Sequence, residues 1–287
     1  VLAIVMGLIA PLQGGVWLQL LESELMLMLF LVFLKTDVLK ILDRIKNIRL
    51  MSYLMVVFLM VIPIAFYVPI AQVNTDYAIL ALLLVAMPPG TSSPALTDIT
   101  GGNTELCLGI SILAAVVAPF SIPFLFGFFL GKTTVLQPMD IFFDTAAIIF
   151  IPMIAAQIFR VLTPRFISKT APTYTALNIL ILFLIVYSII SSQQKALLAS
   201  SYSIILDILV VYCIFIALHI VTYIIAFRHK KEDRIAMVIS KTYMNNGLSM
   251  VLAVKYFDPS IVLLVTLSEL PWNTLLIPYQ WILRRQN

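Results

Sequence analysis

The chain has 287 residues, 62% of them hydrophobic and only 11% charged, with a formal net charge of +4. A mean hydropathy of +1.07 leaves too little polar side chain to cover a water-solvated globule, so the chain is read as an integral membrane protein with lipid as its solvent. The positive balance calls for no nucleic-acid partner, because the basic residues gather on one side of the apolar runs.

A bilayer is crossed by roughly 20 apolar residues, and ten runs approach that length: 1–12, 20–34, 50–70, 77–99, 105–130, 141–162, 174–191, 204–227, 235–256 and 261–283. The first is too short to span, and the chain lacks an initiator Met, so its start is expected to be trimmed. That run also lacks the pattern of a secretory signal. Fourteen of the 18 Lys and Arg residues follow the second, sixth, eighth and tenth runs. The positive-inside rule therefore predicts cytoplasmic termini, and compactness suggests a prokaryotic inner membrane. Because each half has an odd number of runs, two similar halves, 1–131 and 132–287, would be inverted relative to each other. The linker is expected at about 131–139.

Two runs, the fourth of each half, are broken in the middle. One break is Pro88-Pro89-Gly90-Thr91-Ser92-Ser93-Pro94 and the other is Met244-Asn245-Asn246-Gly247. Backbone groups freed by a break inside a bilayer must face protein, ion, solute or water, so paired broken helices point to a transporter's binding site. Half-helices starting near Ser92–Ser93 and Gly247–Leu248 would each aim a positive dipole end at the midplane, which suits an anion.

These motifs resemble those of the bile acid:sodium symporter family. The first break, then Gly102-Asn103, Ser111 and the prolines 119 and 123, is similar to that family's fourth and fifth helices. Met244-Asn245-Asn246-Gly247-Leu248, followed by Ala253 and Phe257-Asp258-Pro259, is similar to its ninth, and Trp272-Asn273 to its tenth. The resemblance implies an all-α protein of about ten helices in an inverted five-plus-five repeat. Spans 3–5 and 8–10 would form a core, spans 1–2 and 6–7 a panel, and the two broken helices would cross at the midplane. It also implies uptake of organic anions with sodium.

The sodium ligands implied by the resemblance fit this chain in part. Three oxygen-bearing positions become Pro94, Phe58 and Lys241. Thr91, Ser93 and Ser111 keep hydroxyls, Cys107 replaces one, and Asn245 replaces a Gln beside Asn246. A vestigial sodium site would comprise Ser93, Cys107, Ser111 and Asn245, with no confident metal site. Lys241 puts an ammonium where the family holds a cation, at a cost of about +3 kcal/mol even on mild insertion scales. It is read as a stand-in for sodium, either as a fixed charge or as a proton carrier. Glu269 is its expected partner and Asp98 the second choice; the alternative is that Lys241 snorkels to the cytoplasmic surface.

The expected substrate- and ion-binding set is Thr91, Ser92, Ser93, Ser111, Lys241, Thr242, Asn245, Asn246, Glu269 and Asn273; the alternative for the hydroxyls is bonding to helix carbonyls. His219, with Asp207 on the same run, is read as bonded within its helix. Asp140 and Asp144 are read as complements to a helix N-terminus, and Tyr279 and Trp281 as an interfacial belt. Cys107 and Cys213 have no metal-site or disulfide spacing. No catalytic constellation lies within the runs, so an enzyme is not expected, and no cofactor or protein partner is required. The predicted function is secondary transport of a small organic anion by alternating access, with sodium or a proton as coupling ion. The alternatives are a sodium-coupled symporter with a rearranged site, or a channel or sensor.

Overall fold

The computed structural model describes residues 2–12, 16–43, 47–131, 137–199 and 201–285. Most of the expected linker, and Arg44, Lys46 and Lys132 among the basic residues, lie outside the described residues. Among the described residues the regular structure is helical, joined by short turns and loops, apart from one isolated antiparallel bridge between Pro89 and Met244.

The helices are α1 (Leu2–Ile9), α2 (Val16–Lys35), α3 (Val38–Asp43), α4 (Ile48–Val56), α5 (Ile62–Ala71), α6 (Thr75–Val85), α7 (Ser93–Ile99) and α8 (Thr104–Leu130), then α9 (Pro138–Leu162), α10 (Pro164–Ala199), α11 (Ser201–Ala226), α12 (Lys231–Thr242), α13 (Asn246–Tyr256), α14 (Pro259–Leu267), α15 (Glu269–Thr274) and α16 (Leu276–Arg285). Seven stretches among the described residues are long and apolar enough to cross a membrane: 17–35, 48–71, 104–130, 138–162, 164–195, 204–226 and 259–285. The other three expected runs are the short α1 and the divided pairs α6–α7 and α12–α13. α10 starts well before the expected run, because its first turns, rich in Ser, Thr, Lys and Arg, extend beyond the apolar stretch. The last run, expected to be continuous, is interrupted at Ser268 and Leu275.

Caps and prolines set the boundaries. Asn47, Asn74, Asn103 and Asn245 each accept a hydrogen bond from the backbone N–H three residues on, satisfying a donor the first turn leaves free. The turn after α7 passes through Gly101, whose positive φ suits a residue without Cβ. α4 and α5 are joined by a π-helical turn, Val57–Val61. There the Ile62 N–H bonds the Val57 carbonyl, five residues back. The next bond in that register would run from residue 63 to the Phe58 carbonyl, but residue 63 is proline and has no N–H.

The packing gathers α1, α2, α9 and α10 on one side, with α2 lying against both α9 and α10 and α10 against α1. α12 packs between α8 and α11, α5 lies along α6, and α14 touches α6, α10, α11 and α13. Asn103 ties the start of α8 to the start of α12: its backbone N–H donates to the Glu232 carbonyl at 2.9 Å and its Nδ2 to Asp233 at 2.7 Å.

Candidate binding site at the paired breaks

The two breaks lie against each other and satisfy each other's backbone. Gly90 N–H donates to the Tyr243 carbonyl at 2.8 Å and Asn245 N–H to the Pro88 carbonyl at 2.9 Å. A Cβ at Gly90 would sit 2.9 Å from the Met244 carbonyl oxygen and 3.0 Å from that of Tyr243, so only glycine permits this approach. The Ser93 hydroxyl donates to the Tyr243 carbonyl at 2.7 Å, the Ser249 hydroxyl to Leu83 at 2.9 Å and Trp272 Nε1 to Met244 at 3.2 Å. Buried main-chain groups released by the breaks are thereby paired again.

Lys241, in the last turn of α12, is 2% exposed and does not snorkel to the surface. Its Nζ donates to the carbonyls of Phe58 and Val85, each at 2.5 Å, and lies 5.9 Å from the centroid of the Phe58 ring. Both oxygens lack their usual helical donor for the same reason. The donor to Phe58 in the π register would be Pro63, and the α-helical donor to Val85 would be Pro89. Two prolines thus leave two carbonyls free, and one ammonium takes both. The expected partnership with Glu269 is not formed, because Glu269 is engaged with Asn246 and Asn273. Asp98 is exposed on the outer face of α7 and is not a partner either. Among the described residues no carboxylate lies within 4.0 Å of the ammonium. Carbonyl oxygens of this kind are also the ligands a hard cation prefers. With Nζ 2.5 Å from both, a sodium ion does not fit at this position.

The remaining expected residues fall into three groups. Thr91, Ser92, Ser111 and Asn245 line a cavity of about 400 Å³ beneath the breaks. Ser93 and Thr242 are fully buried and do not line it; Ser93 holds the breaks together, and the Thr242 hydroxyl has no hydrogen-bond partner among the described residues. Asn246, Glu269 and Asn273 form a separate cluster, with Asn246 Nδ2 3.1 Å from Glu269 Oε1 and Asn273 Nδ2 3.0 Å from Oε2. Of the supposed vestigial sodium site, Ser111 and Asn245 share the cavity lining, while Ser93 and Cys107 are buried away from it. Cys107 is buried and accepts from the Ser240 hydroxyl at 3.2 Å, and Ser111 donates to the Cys107 carbonyl at 2.8 Å. The dipole expected from the first half-helix is weak, since α7 spans only Ser93–Ile99 and Pro94 removes a donor from its first turn. The second half-helix, α13, is longer and starts at Asn246, one position earlier than expected.

The cavity runs from the breaks to Lys35 and Thr36 at the end of α2, with Met28, Val32 and Phe33 along one wall. Sequence reasoning missed four polar lining residues: Lys35, Thr36, Thr175 and Asn178. The Lys35 ammonium donates to the Thr175 hydroxyl at 3.1 Å, and Asn178 Oδ1 has no partner among the described residues. Among the described residues the lining includes no Asp or Glu. Just beyond it, Gln157 and Arg160 donate to carbonyls at and just past the end of α2, those of Phe33, Leu34 and Thr36. The Lys40 backbone N–H, ahead of the nearby ammonium and guanidinium charges, holds the Asp37 carboxyl below its ordinary range.

The opposite end of α2 carries a charged knot. Lys255 at the end of α13 pairs with Asp144 of α9 at 2.7 Å and with Glu22 of α2 at 3.4 Å, and the Tyr256 hydroxyl donates to Asp144. Asp144 therefore links helices rather than only complementing the start of α9. Glu22 and Lys35 sit several turns apart on α2, so the knot and the basic end of the cavity lie well separated along one helix. His219 bonds the Phe215 carbonyl at 2.9 Å, as expected, while Asp207 accepts from Tyr77 at 2.8 Å. Tyr279 is buried against His219 instead of lying in an interfacial belt, whereas Trp281 is exposed with Arg285 3.5 Å over its ring.

A model of the SBF-like CPA transporter family matches residues 1–267. A protein described as an uncharacterized sodium-dependent transporter, YocS, of Bacillus subtilis (strain 168) is 23% identical over 190 residues. That match covers 64% of this chain and 57% of the relative, so the chain spans little more than half of that protein's length. Reaching from the first residue into α14, the family match shows that this chain, an integral membrane protein and not an enzyme, belongs to the SBF-like CPA transporter family.

Proposed function

We propose that the protein is a secondary active transporter that moves a small organic anion by alternating access, with Lys241 as a built-in cation in place of sodium. The reading rests on one observation above all. The paired breaks, held by Gly90–Tyr243 and Asn245–Pro88 bonds, form the floor of a cavity whose far wall is α2 and α10. In this reading α1, α2, α9 and α10 are a panel, the remaining helices a core, and the halves 1–131 and 132–287 an inverted repeat of ten spans with cytoplasmic termini.

Charge supports an anion. Lys35 is the charged group on the lining, Lys241 lies behind the floor, and Asn245, the N-cap of α13, faces the cavity at the positive end of that helix. Apolar side chains of α2, α8 and α10 make up most of the wall, which suits an anion with an apolar body. The cavity reaches the basic end of α2 while the Lys255–Asp144–Glu22 knot ties core to panel at the other end, so this conformation is inward-facing.

The test is thermal stabilisation of the purified full chain by a panel of mono- and dicarboxylates in sodium-free buffer. Saturable stabilisation by one class of anion, and its loss with Lys35→Ala, is the expected result; indifference to every anion with stabilisation by an organic cation would overturn it. A sodium-coupled symporter with a rearranged ion site is the second reading, favoured by the relative's description as sodium-dependent and opposed by the position of Lys241.

A further inference from the structure

Glu269 occupies a polar cluster beside the second break, and none of its residues lines the cavity. It is 6% exposed, and its two carboxylate oxygens face neutral amides: Oε1 accepts from Asn246 Nδ2 at 3.1 Å and Oε2 from Asn273 Nδ2 at 3.0 Å. Among the described residues no Lys, Arg or His nitrogen lies within 4.0 Å of it. A buried carboxylate with no cation is costly, and a bound proton removes the cost.

Asn246 supplies a second, independent observation. The residue is 4% exposed, and its Oδ1 has no donor among the described residues. An amide presents two N–H donors at one end and an acceptor at the other, and a half-turn exchanges them. With Nδ2 toward Glu269 it serves the carboxylate, as seen here; turned over, its Oδ1 accepts from the O–H of the carboxylic acid. Asn246 can therefore pair with Glu269 in either state. A metal cation suits the cluster poorly, because both carboxylate oxygens are met by N–H groups.

Among the described residues, titratable groups on the neighbouring elements are engaged elsewhere or remote. On α11, Asp207 accepts from Tyr77, Tyr212 shares a hydrogen bond with Thr274 at 2.8 Å, His219 bonds Phe215, Cys213 is exposed, and Tyr223 lies under Arg234. α14 carries none. On α16, Tyr279 packs on His219, and Arg284 and Arg285 are at the chain's end. On α12 and α13, Lys241 is held by two carbonyls, and Lys255 and Tyr256 belong to the knot at the opposite end.

We propose that Glu269 is the coupling-proton site of the carrier, with Asn246 switching between donor and acceptor and the exposed Asn273 held to the second carboxylate oxygen. In this step hydronium gives up a proton as an O–H bond forms on one carboxylate oxygen, and release returns the proton to water with no electron transferred. The turn of Asn246 acts on the first residue of α13, beside Asn245, which caps that helix and lines the cavity. The inference rests on the transporter reading, but its test needs no knowledge of the solute.

The experiment is pH-difference infrared spectroscopy of the full chain in lipid nanodiscs. Acidification is expected to produce a carboxylic-acid C=O band that Glu269→Gln loses, Glu269→Asp keeps at a shifted frequency and Asn273→Ala moves to higher frequency, because a donor to the carbonyl is gone. The band should be the same in sodium and choline chloride. A Glu269→Gln spectrum identical to that of the unmutated protein, or sodium abolishing the band at constant pH, would overturn the proposal. If Glu269→Gln fails to fold, an unshifted band in Glu269→Asp serves as the contradicting result. Carriage is judged separately by carboxylate binding to Glu269→Gln, expected to persist without pH dependence. A Glu269 band in a protein that binds no anion would overturn the transporter reading and the coupling role while leaving the proton site.

Discussion

Lys241 Nζ lies 2.5 Å from the carbonyl oxygen of Val85, a carbonyl left without its helical donor because the residue four positions on is Pro89. The same ammonium reaches Phe58, whose donor in the π register would be Pro63. The first prediction follows from this accounting. Lys241→Met strands both carbonyls at about 1–3 kcal/mol each, so the variant should unfold at a clearly lower temperature. In the double mutant, Pro63→Ala supplies an N–H for Phe58 and should recover about 1 kcal/mol, a coupling that a double-mutant cycle in lipid reads directly. Strict additivity would refute the shared-acceptor account.

The contact between the breaks leaves no room for a methyl group. Gly90→Ala places a Cβ 2.9 Å from one main-chain oxygen and 3.0 Å from another. Neither can move without breaking the Gly90–Tyr243 or Asn245–Pro88 bond. Anion binding by this variant should weaken at least tenfold, about 1.4 kcal/mol, whereas Gly101→Ala, whose Cβ would meet open space, should leave binding intact and lower stability through its positive φ alone.

The knot at Asp144 should act as a latch. Asp144→Asn removes the charge that Lys255 meets at 2.7 Å and weakens the acceptor for Tyr256. With Lys255 39% and Asp144 22% exposed, such a pair contributes about 0.2–1 kcal/mol, enough to shift a two-state population by no more than about fivefold. Labelling of a cysteine placed at Glu22 by an impermeant thiol reagent should quicken by that factor. High salt should produce part of the same effect in the unmutated protein.

In the cavity, Asn178 offers an oxygen with no partner among the described residues, and Lys35 a charge held by Thr175. Lys35→Ala should lower anion affinity and flatten its dependence on ionic strength. Thr175→Val should lower affinity without altering that dependence, because it frees the ammonium from its position but leaves the charge.

The positions of the breaks were legible in the sequence, because Pro88, Pro89 and the Asn245–Asn246–Gly247 run interrupt apolar stretches at corresponding places. Caps such as Asn103 and Asn245 were legible too, since their signal is local. Lys241 stood out as a charge in an apolar run, but its partners did not. Choosing between Glu269 and main-chain oxygens requires knowing which faces of the π-helical turn 57–61, α6 and α15 turn toward α12, and no local pattern carries that rotation. A usable signal was present in Pro63 and Pro89, each marking a carbonyl several residues earlier that needs a donor. The Lys255–Asp144–Glu22 knot joins residues far apart in the chain, so charges that look like ordinary helix-end complements became a link only through the packing.

The central claim, that Lys241 takes the place of sodium, is tested most directly by the thermal unfolding midpoint of the full chain in sodium chloride and in choline chloride at equal ionic strength, for the unmutated protein and for Lys241→Glu. A ligand that binds the folded state stabilises it by RT ln(1 + [L]/Kd). The account predicts equal midpoints in the two salts for the unmutated protein and a sodium-dependent rise for Lys241→Glu. Sodium stabilisation of the unmutated protein, undiminished in Lys241→Met, would contradict it.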